Sequence, residues 1–154
     1  GVRWGVFVQY VNGVRSSVSY HIGISGAGHV LKIECKRFWR SEEQAQEDYK
    51  SILVGLLVFV VPGLARRIAT AISRGTGYDF GSVKCDRTGV LLKSGMLMWG
   101  KEQRFSWDDI EMSDSQGTLA VHARSNPKFT ATANLRDHWN AVIFKQVSQA
   151  VCEQ

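Results

Sequence analysis

Cysteine is scarce in this chain, and no hydrophobic run reaches the length of a typical membrane-spanning helix. Cys35, Cys85 and Cys152 stand far apart, with no CxxC pair and no histidine at metal-ligand spacing. This pattern excludes a recognisable zinc site and a disulfide framework. Because nothing indicates disulfides, a reducing compartment is favoured, and we expect a cytoplasmic protein.

Motifs that would name a reaction are also missing. The glycine-rich residues 23–28 precede a predicted strand instead of opening a helix, so they indicate a hairpin connection and not a phosphate cradle. The four histidines do not show metal-type spacing, and no local motif pairs one of them as a base with a nucleophile. The acids at 108–114 are typical of a solvated strand and turn. We therefore expect no catalytic site, no metal and no cofactor.

What is present is the composition of an ordinary globular protein. The chain has 154 residues, of which 44% are hydrophobic and 21% are charged. This length corresponds to about one domain and excludes disorder. We predict a single domain over residues 1–154, divided into a β-meander (1–40), a kinked helical pair (41–75) and a second antiparallel half (76–154).

Residues 1–40 predict three antiparallel strands, because apolar residues alternate with polar ones along each of them. A two-residue turn at Asn12-Gly13 would mix polar and apolar residues on both faces. A three-residue loop, 11–13, instead pairs Tyr10 with Val14 and Val6 with Val18, and is the predicted register. The second connection then places Tyr20 near Leu31.

Residues 41–75 predict two helices separated by a proline. Ser41-Glu42-Glu43-Gln44 is a capping box that starts the first helix, and Pro62-Gly63 breaks or kinks it. Residues 51–65 are uncharged, whereas a membrane-spanning helix needs about 20 apolar residues. We therefore expect 52–61 to be a buried core helix, with membrane insertion as the alternative.

Residues 76–154 predict about five strands separated by turns, with a bulge near Asp108-Asp109, followed by one amphipathic helix. Asn134 is the predicted N-cap of this helix. Its apolar face consists of Leu135, Trp139, Val142, Ile143, Val147 and Val151.

Two short patterns in this half carry a family resemblance. They are Asp86-Arg87-Thr88-Gly89-Val90, similar to a tight opening turn, and Phe105-Ser106-Trp107-Asp108-Asp109-Ile110, similar to a "W-x-x-I" strand. With them, residues 78–152 resemble the bacterial branch of the pleckstrin-homology-like (PH-like) fold. The resemblance implies a binding or scaffolding domain without an active site, of a kind that recognises peptides or lipid head groups.

The net charge of +5 comes entirely from the first forty residues, which hold six cations and one acid. Four of these cations, Arg3, Arg15, Lys32 and Lys36, are predicted on the polar face of the meander, where they would bind an acidic partner. The alternative is a solvated face. Trp99, beside Met96, Leu97 and Met98, is a further candidate contact residue.

The expected fold is therefore α+β: a three-stranded meander, a kinked helical pair and a PH-like sheet closed by a C-terminal helix. The expected function is that of a non-catalytic protein-binding module, such as a bacterial inhibitor or immunity-type protein with an acidic protein partner. The alternatives are a peripheral module for anionic membranes and an enzyme with a scattered site. Nucleic acid is disfavoured, because no reader motif is present.

Overall fold

The computed structural model of the chain describes residues 1–36, 41–94, 101–115 and 117–153. Within these ranges the fold is α+β, as predicted: an antiparallel meander, then helix, then a curled antiparallel sheet on which a C-terminal helix packs. In place of the predicted kinked helical pair there is one long helix.

The meander consists of β1 (Val2–Val11), β2 (Val14–Gly26) and β3 (His29–Lys36), in that order. Its apolar residues share one face, as predicted, but the predicted register is wrong. Val8 pairs with Val18, and Tyr20 pairs with Cys35. The cause lies in the turns, since two residues with positive φ form each one: Asn12-Gly13 and Ala27-Gly28.

A bulge explains how the two-residue turn keeps a single apolar face. The pairing of β1 with β2 shifts between Gln9 and Tyr10, so that Gln9 faces Ser17 while Tyr10 faces Arg15. The extra residue, Ser16, restores the alternation beyond the turn. The predicted three-residue loop is therefore not needed.

The long helix α1 (Glu42–Ser73) begins as the capping box predicts, because the Gln44 amide donates to Ser41 Oγ at 3.2 Å. The break or kink expected at Pro62-Gly63 does not divide the segment into two helices, since α1 is continuous from Glu42 to Ser73. Residues Leu56–Val60 form a π-helical turn in which the Val61 amide donates to the Leu56 carbonyl. This local change of hydrogen bonding lets the helix continue through a proline that has no amide hydrogen.

The two halves of α1 pack on different layers. Near its start, Ala45 and Tyr49 pack on the apolar face of the meander, where the rings of Tyr49 and Tyr20 lie 5.0 Å apart. Near its end, Ile68 and Ile72 belong to the core of the second sheet. Between residues 54 and 63 only Leu56 and Val61 are buried. The prediction that 52–61 forms a buried core helix is therefore wrong.

Among the described residues, the second sheet contains seven strands instead of about five. They are β4 (Tyr78–Phe80), β5 (Val83–Asp86), β6 (Gly89–Ser94), β7 (Lys101–Phe105), β8 (Ile110–Ser115), β9 (Thr118–Ala123) and β10 (Phe129–Asn134). Their order is β4-β5-β6-β10-β9-β8, with β7 also paired to β6. At the predicted bulge, the 3₁₀ turn Trp107–Asp109 ends β7, and β8 starts beside β9.

The C-terminal helix α2 (Phe144–Cys152) starts later than predicted. The side chain of Asn134 accepts hydrogen bonds from the amides of Arg136 and Asp137, so it stabilises a turn and does not cap the helix. Asn140 then adopts a left-handed conformation (φ 64°), and a 3₁₀ turn, Ala141–Ile143, leads into α2. Trp139 therefore lies in this connection and not on the helix.

Asn140 also joins the two sheets. Its side-chain oxygen accepts from the Val2 amide at 2.9 Å, its Nδ2 donates to the Tyr78 hydroxyl at 2.7 Å, and its own amide donates to the Val2 carbonyl. Burial raises the pKa of Tyr78 above its usual range. The connection 135–140 is thereby held against the first strand.

Candidate functional site

The polar face of the meander forms a trough with cations along both sides. Register places Arg3, Gly23 and Lys32 in one row across the three strands, Gly5, His21 and Glu34 in the next, and Phe7, Ser19 and Lys36 in the third. Small or polar residues of the central strand β2 line the floor, and longer side chains rise from β1 and β3. We call this surface the cationic trough.

The connection after β10 forms part of the trough wall. Arg136 lies over the ring of Phe7, with its guanidinium carbon 5.5 Å from the ring centroid, and Arg3 lies 4.3 Å from the ring centroid of Trp139. These contacts need glycine beneath them, because a Cβ at Gly5 would lie 2.9 Å from Cβ of Arg136. Gly5 thus leaves room for Arg136, and Gly23 leaves room for Arg3, above the sheet.

Two cavities that share His21, Glu34 and Arg136 make up the trough. Lys36 and Arg136 line the larger cavity, of about 530 Å³. Arg3 and Lys32 line the smaller one, of about 320 Å³. Because Arg136 lines both, the larger cavity offers two cations and the smaller one three, with Asp137 as a second acid in the smaller one. Both volumes fall in the range of ligand sites, roughly 300–1,000 Å³.

Two carboxylates neutralise part of this positive charge. Lys36 Nζ lies 2.8 Å from Glu34 Oε1, and Arg136 makes two hydrogen bonds to Asp137, at 3.0 and 3.3 Å. Hydrogen bonding from Arg136 holds the pKa of Asp137 below its usual range. The structure gives Lys32 no ion pair with any described residue. The trough keeps an excess of two cations over acids when His21 is neutral.

The predicted contact residues are only partly brought together. Arg3, Lys32 and Lys36 line the trough. Arg15, predicted beside Lys36, instead lies near the tip of the first hairpin and forms an ion pair with Glu42 at the start of α1. The reason is the second turn, Ala27-Gly28, whose register pairs Ser19 instead of Arg15 with Lys36. Trp99 and its neighbours Met96–Met98 lie outside the described residues.

Ser19, His21 and Glu34 lie together in the trough but do not form a catalytic triad. Ser19 Oγ lies 3.0 Å from His21 Nε2, and Glu34 Oε1 lies 3.5 Å from the same nitrogen. A triad needs the hydroxyl and the carboxylate at opposite ring nitrogens, so that the acid orients the base. This cluster therefore does not activate Ser19. Among the described ranges, no group of three His, Cys, Asp or Glu could hold a metal ion.

The second candidate surface is the exposed part of α1, residues 54–63. Phe59 is 84% exposed, and Val54 and Val58 are each 58% exposed. By length and composition α1 could cross a membrane. Only 28% of its most apolar stretch is buried within the fold. Exposed Lys50 precedes the segment, and exposed Arg66 and Arg67 follow it. Such a patch marks an interaction surface.

The contribution of residues 135–140 to the trough was not predicted. Phe7, Arg136 and Trp139 meet there although more than 120 positions separate the first from the others. The available signal was the pair Gly5 and Gly23 on the polar face, since glycine within a strand marks close approach by another segment.

No family model, no curated protein and no solved structure matches the chain. The resemblance of residues 78–152 to the PH-like fold stays a prediction.

Proposed function

We propose that this chain is a non-catalytic module that attaches to anionic membrane surfaces through residues 54–63 of α1. The observation that carries the proposal is the exposure of four consecutive large apolar side chains, Leu57 to Val60, in the middle of a helix with cations on both sides. Exposure of this apolar surface to water is unfavourable, whereas a bilayer interface would cover it.

The charges around the segment suit an anionic surface. No acid occurs in the sequence between Asp48 and Asp79, while Lys50, Arg66 and Arg67 lie within it. Lysine and arginine side chains can reach lipid phosphates while the apolar side chains between them enter the acyl boundary. Each such cation contributes about 1 kcal/mol near an anionic leaflet.

Packing favours attachment along the surface over spanning. The uncovered part of α1 has ten residues, about 15 Å at 1.5 Å per residue, whereas the hydrocarbon core is about 30 Å thick. The part of α1 that precedes these residues packs against the meander, and the part that follows them packs against the second sheet. Spanning would require at least one of these contacts to break.

The architecture of the second half also supports a binding role. A curled antiparallel sheet closed by a C-terminal helix is the arrangement that the PH-like resemblance implies, and such domains recognise lipid head groups or peptides. The inhibitor or immunity-type role stays a prediction, as does the cytoplasmic location.

The test is co-sedimentation with vesicles of phosphatidylcholine alone or mixed with phosphatidylglycerol. We expect binding to the mixed vesicles that weakens as salt rises, and weaker binding for the double variant Arg66→Gln/Arg67→Gln. The matched control is Lys84→Gln/Lys128→Gln, which removes the same charge from an exposed position on β5 and from an exposed turn before β10.

Four outcomes would contradict the proposal. One is absence of binding to the mixed vesicles, and another is equal weakening by the control variant. The third is a stable dimer in light scattering that the Phe59→Ser change dissociates, which would make the segment an interface between two copies. Resistance of bound protein to an alkaline carbonate wash would instead indicate spanning and overturn attachment along the surface.

A further inference from the structure

We propose that the cationic trough binds an extended acidic segment of a partner protein, with two acidic side chains four residues apart and no acid midway between them. The trough lies on the polar face of the meander, and α1 packs on part of the opposite, apolar face. A soluble partner can therefore reach the trough while residues 54–63 contact a bilayer.

The spacing of the cations determines the spacing of the acids. Lys32 and Lys36 lie four residues apart on β3 and project from the same face of the sheet. At about 3.3 Å per residue, this separation is about 13 Å. An extended chain parallel to β3 repeats its side chains at the same interval, so acids at positions i and i+4 would each meet one end of the trough.

Each end supplies a second cation for the same carboxylate. Arg3 shares the smaller cavity with Lys32, and Arg136, which lines both cavities, shares the larger one with Lys36. Asp137, which also lines the smaller cavity, is bound by Arg136. Both arginines are held in place by aromatic rings, which reduces the entropy lost when they bind a carboxylate. Charge-assisted hydrogen bonds of this kind are stronger than neutral ones.

The middle of the trough rejects an acid. Glu34 lies between Lys32 and Lys36 on β3, opposite His21. A carboxylate at position i+2 of the bound segment would face Glu34, and like charges in adjacent strands are unfavourable. A neutral or basic residue at that position avoids the repulsion. The trough therefore distinguishes a spaced pair of acids from a continuous acidic run.

The test uses a fluorescein-labelled, threonine-rich peptide with two glutamates four residues apart, followed by fluorescence anisotropy at low salt. Its isomer has the glutamates three residues apart, which places them on opposite faces of an extended chain. We expect at least fivefold tighter binding of the first peptide. Adding a third glutamate midway should weaken binding in spite of the greater negative charge.

Variants locate the binding on the protein. Lys32→Gln/Lys36→Gln should weaken peptide binding at least fivefold, whereas Lys84→Gln/Lys128→Gln, with the same change in net charge, should not. All four lysines are exposed, so we expect both variants to fold. Circular dichroism and thermal unfolding check this before binding is measured.

The proposal fails if neither peptide binds, if the two isomers bind equally, or if both lysine pairs have the same effect. It also fails if Lys32→Gln/Lys36→Gln abolishes binding to anionic vesicles, because the trough would then be a lipid site. If Phe59→Ser removes vesicle binding but leaves peptide binding unchanged, the trough and residues 54–63 are separate binding sites.

Discussion

Replacing Phe59 by serine should remove membrane affinity and leave the fold intact. Phe59 is 84% exposed in the middle of α1. Serine is chosen because it adds no charge, so any loss of vesicle binding reports on the missing ring and not on electrostatic repulsion.

The exposed fraction sets the two magnitudes. Full burial of a large apolar side chain stabilises by about 1.5–3 kcal/mol. The fold buries 16% of Phe59, the remainder of its 84% exposure, so the free energy of unfolding should fall by no more than about 0.5 kcal/mol. A bilayer can cover the rest, which amounts to about 1.3–2.5 kcal/mol, or roughly tenfold to sixtyfold in vesicle affinity.

Thermal unfolding and vesicle co-sedimentation measure these two effects on the same protein. We expect Phe59→Ser to lower Tm by no more than about 2 °C. The matched control is Phe80→Ser, because Phe80 is fully buried and packs 5.0 Å from the ring of Phe144. That change should cost about 3 kcal/mol or more. If Phe59→Ser were equally destabilising, or if it left vesicle binding unchanged, the assignment of the segment as a membrane surface would be wrong.

Two substitutions and one labelling experiment test how the fold is held together. Asn140→Ala should lower the free energy of unfolding in urea by about 2–4 kcal/mol, because it removes one buried and one partly buried hydrogen bond and places alanine at φ 64°; a smaller loss would mean that the two sheets do not depend on this residue. Burial raises the pKa of Cys85 to about 12, so at pH 8 iodoacetamide should label exposed Cys152 but not Cys85, and mass spectrometry showing early labelling of Cys85 would contradict its burial. Gly89→Ala should cost more than about 2 kcal/mol in thermal unfolding, since a Cβ there would overlap the backbone of β7 at φ 142°; an unchanged Tm would contradict the close approach of the two strands.

The alternation of the meander could be predicted from the sequence, but its register could not. Val8 and Val18 lie on the apolar face because side chains alternate along a strand, and any shift by two residues preserves that face. The register depends on which residues take positive φ at the turn. Ala27 has a positive φ at the second turn. Nothing in the residues around Ala27 indicated that it would take this conformation.

The start of α1 was predictable for a local reason, whereas its environment was not. The capping interaction of Ser41 involves residues three positions apart, so the sequence contains it entirely. The burial of residues 54–63 depends on where the meander and the second sheet pack along the helix. An apolar run indicates a low preference for water but does not say which surface covers it.

Only part of the trough could be predicted from the sequence, because some of its residues are far apart along the chain. Lys32 and Lys36 could be placed on one face from strand periodicity alone. Arg136 and Trp139 could not, because the pattern 134–151 predicts a continuous helix that carries Trp139 on its apolar side. The turn bound by Asn134 and the left-handed Asn140 redirect the chain toward β1. These two asparagines act through side-chain hydrogen bonds that no periodicity contains.

The position of α1 connects the membrane segment with the trough. Tyr49 packs on Tyr20 of the central strand β2, and the polar neighbours of Tyr20, Ser19 and His21, form the floor of the trough on the other face. Attachment along the surface leaves this contact in place, so the trough keeps its shape on the membrane. Insertion of α1 across the bilayer would strip the apolar face of β2, and a three-stranded sheet without such a cover has little independent stability. The two proposed surfaces therefore operate together only when α1 lies along the membrane surface.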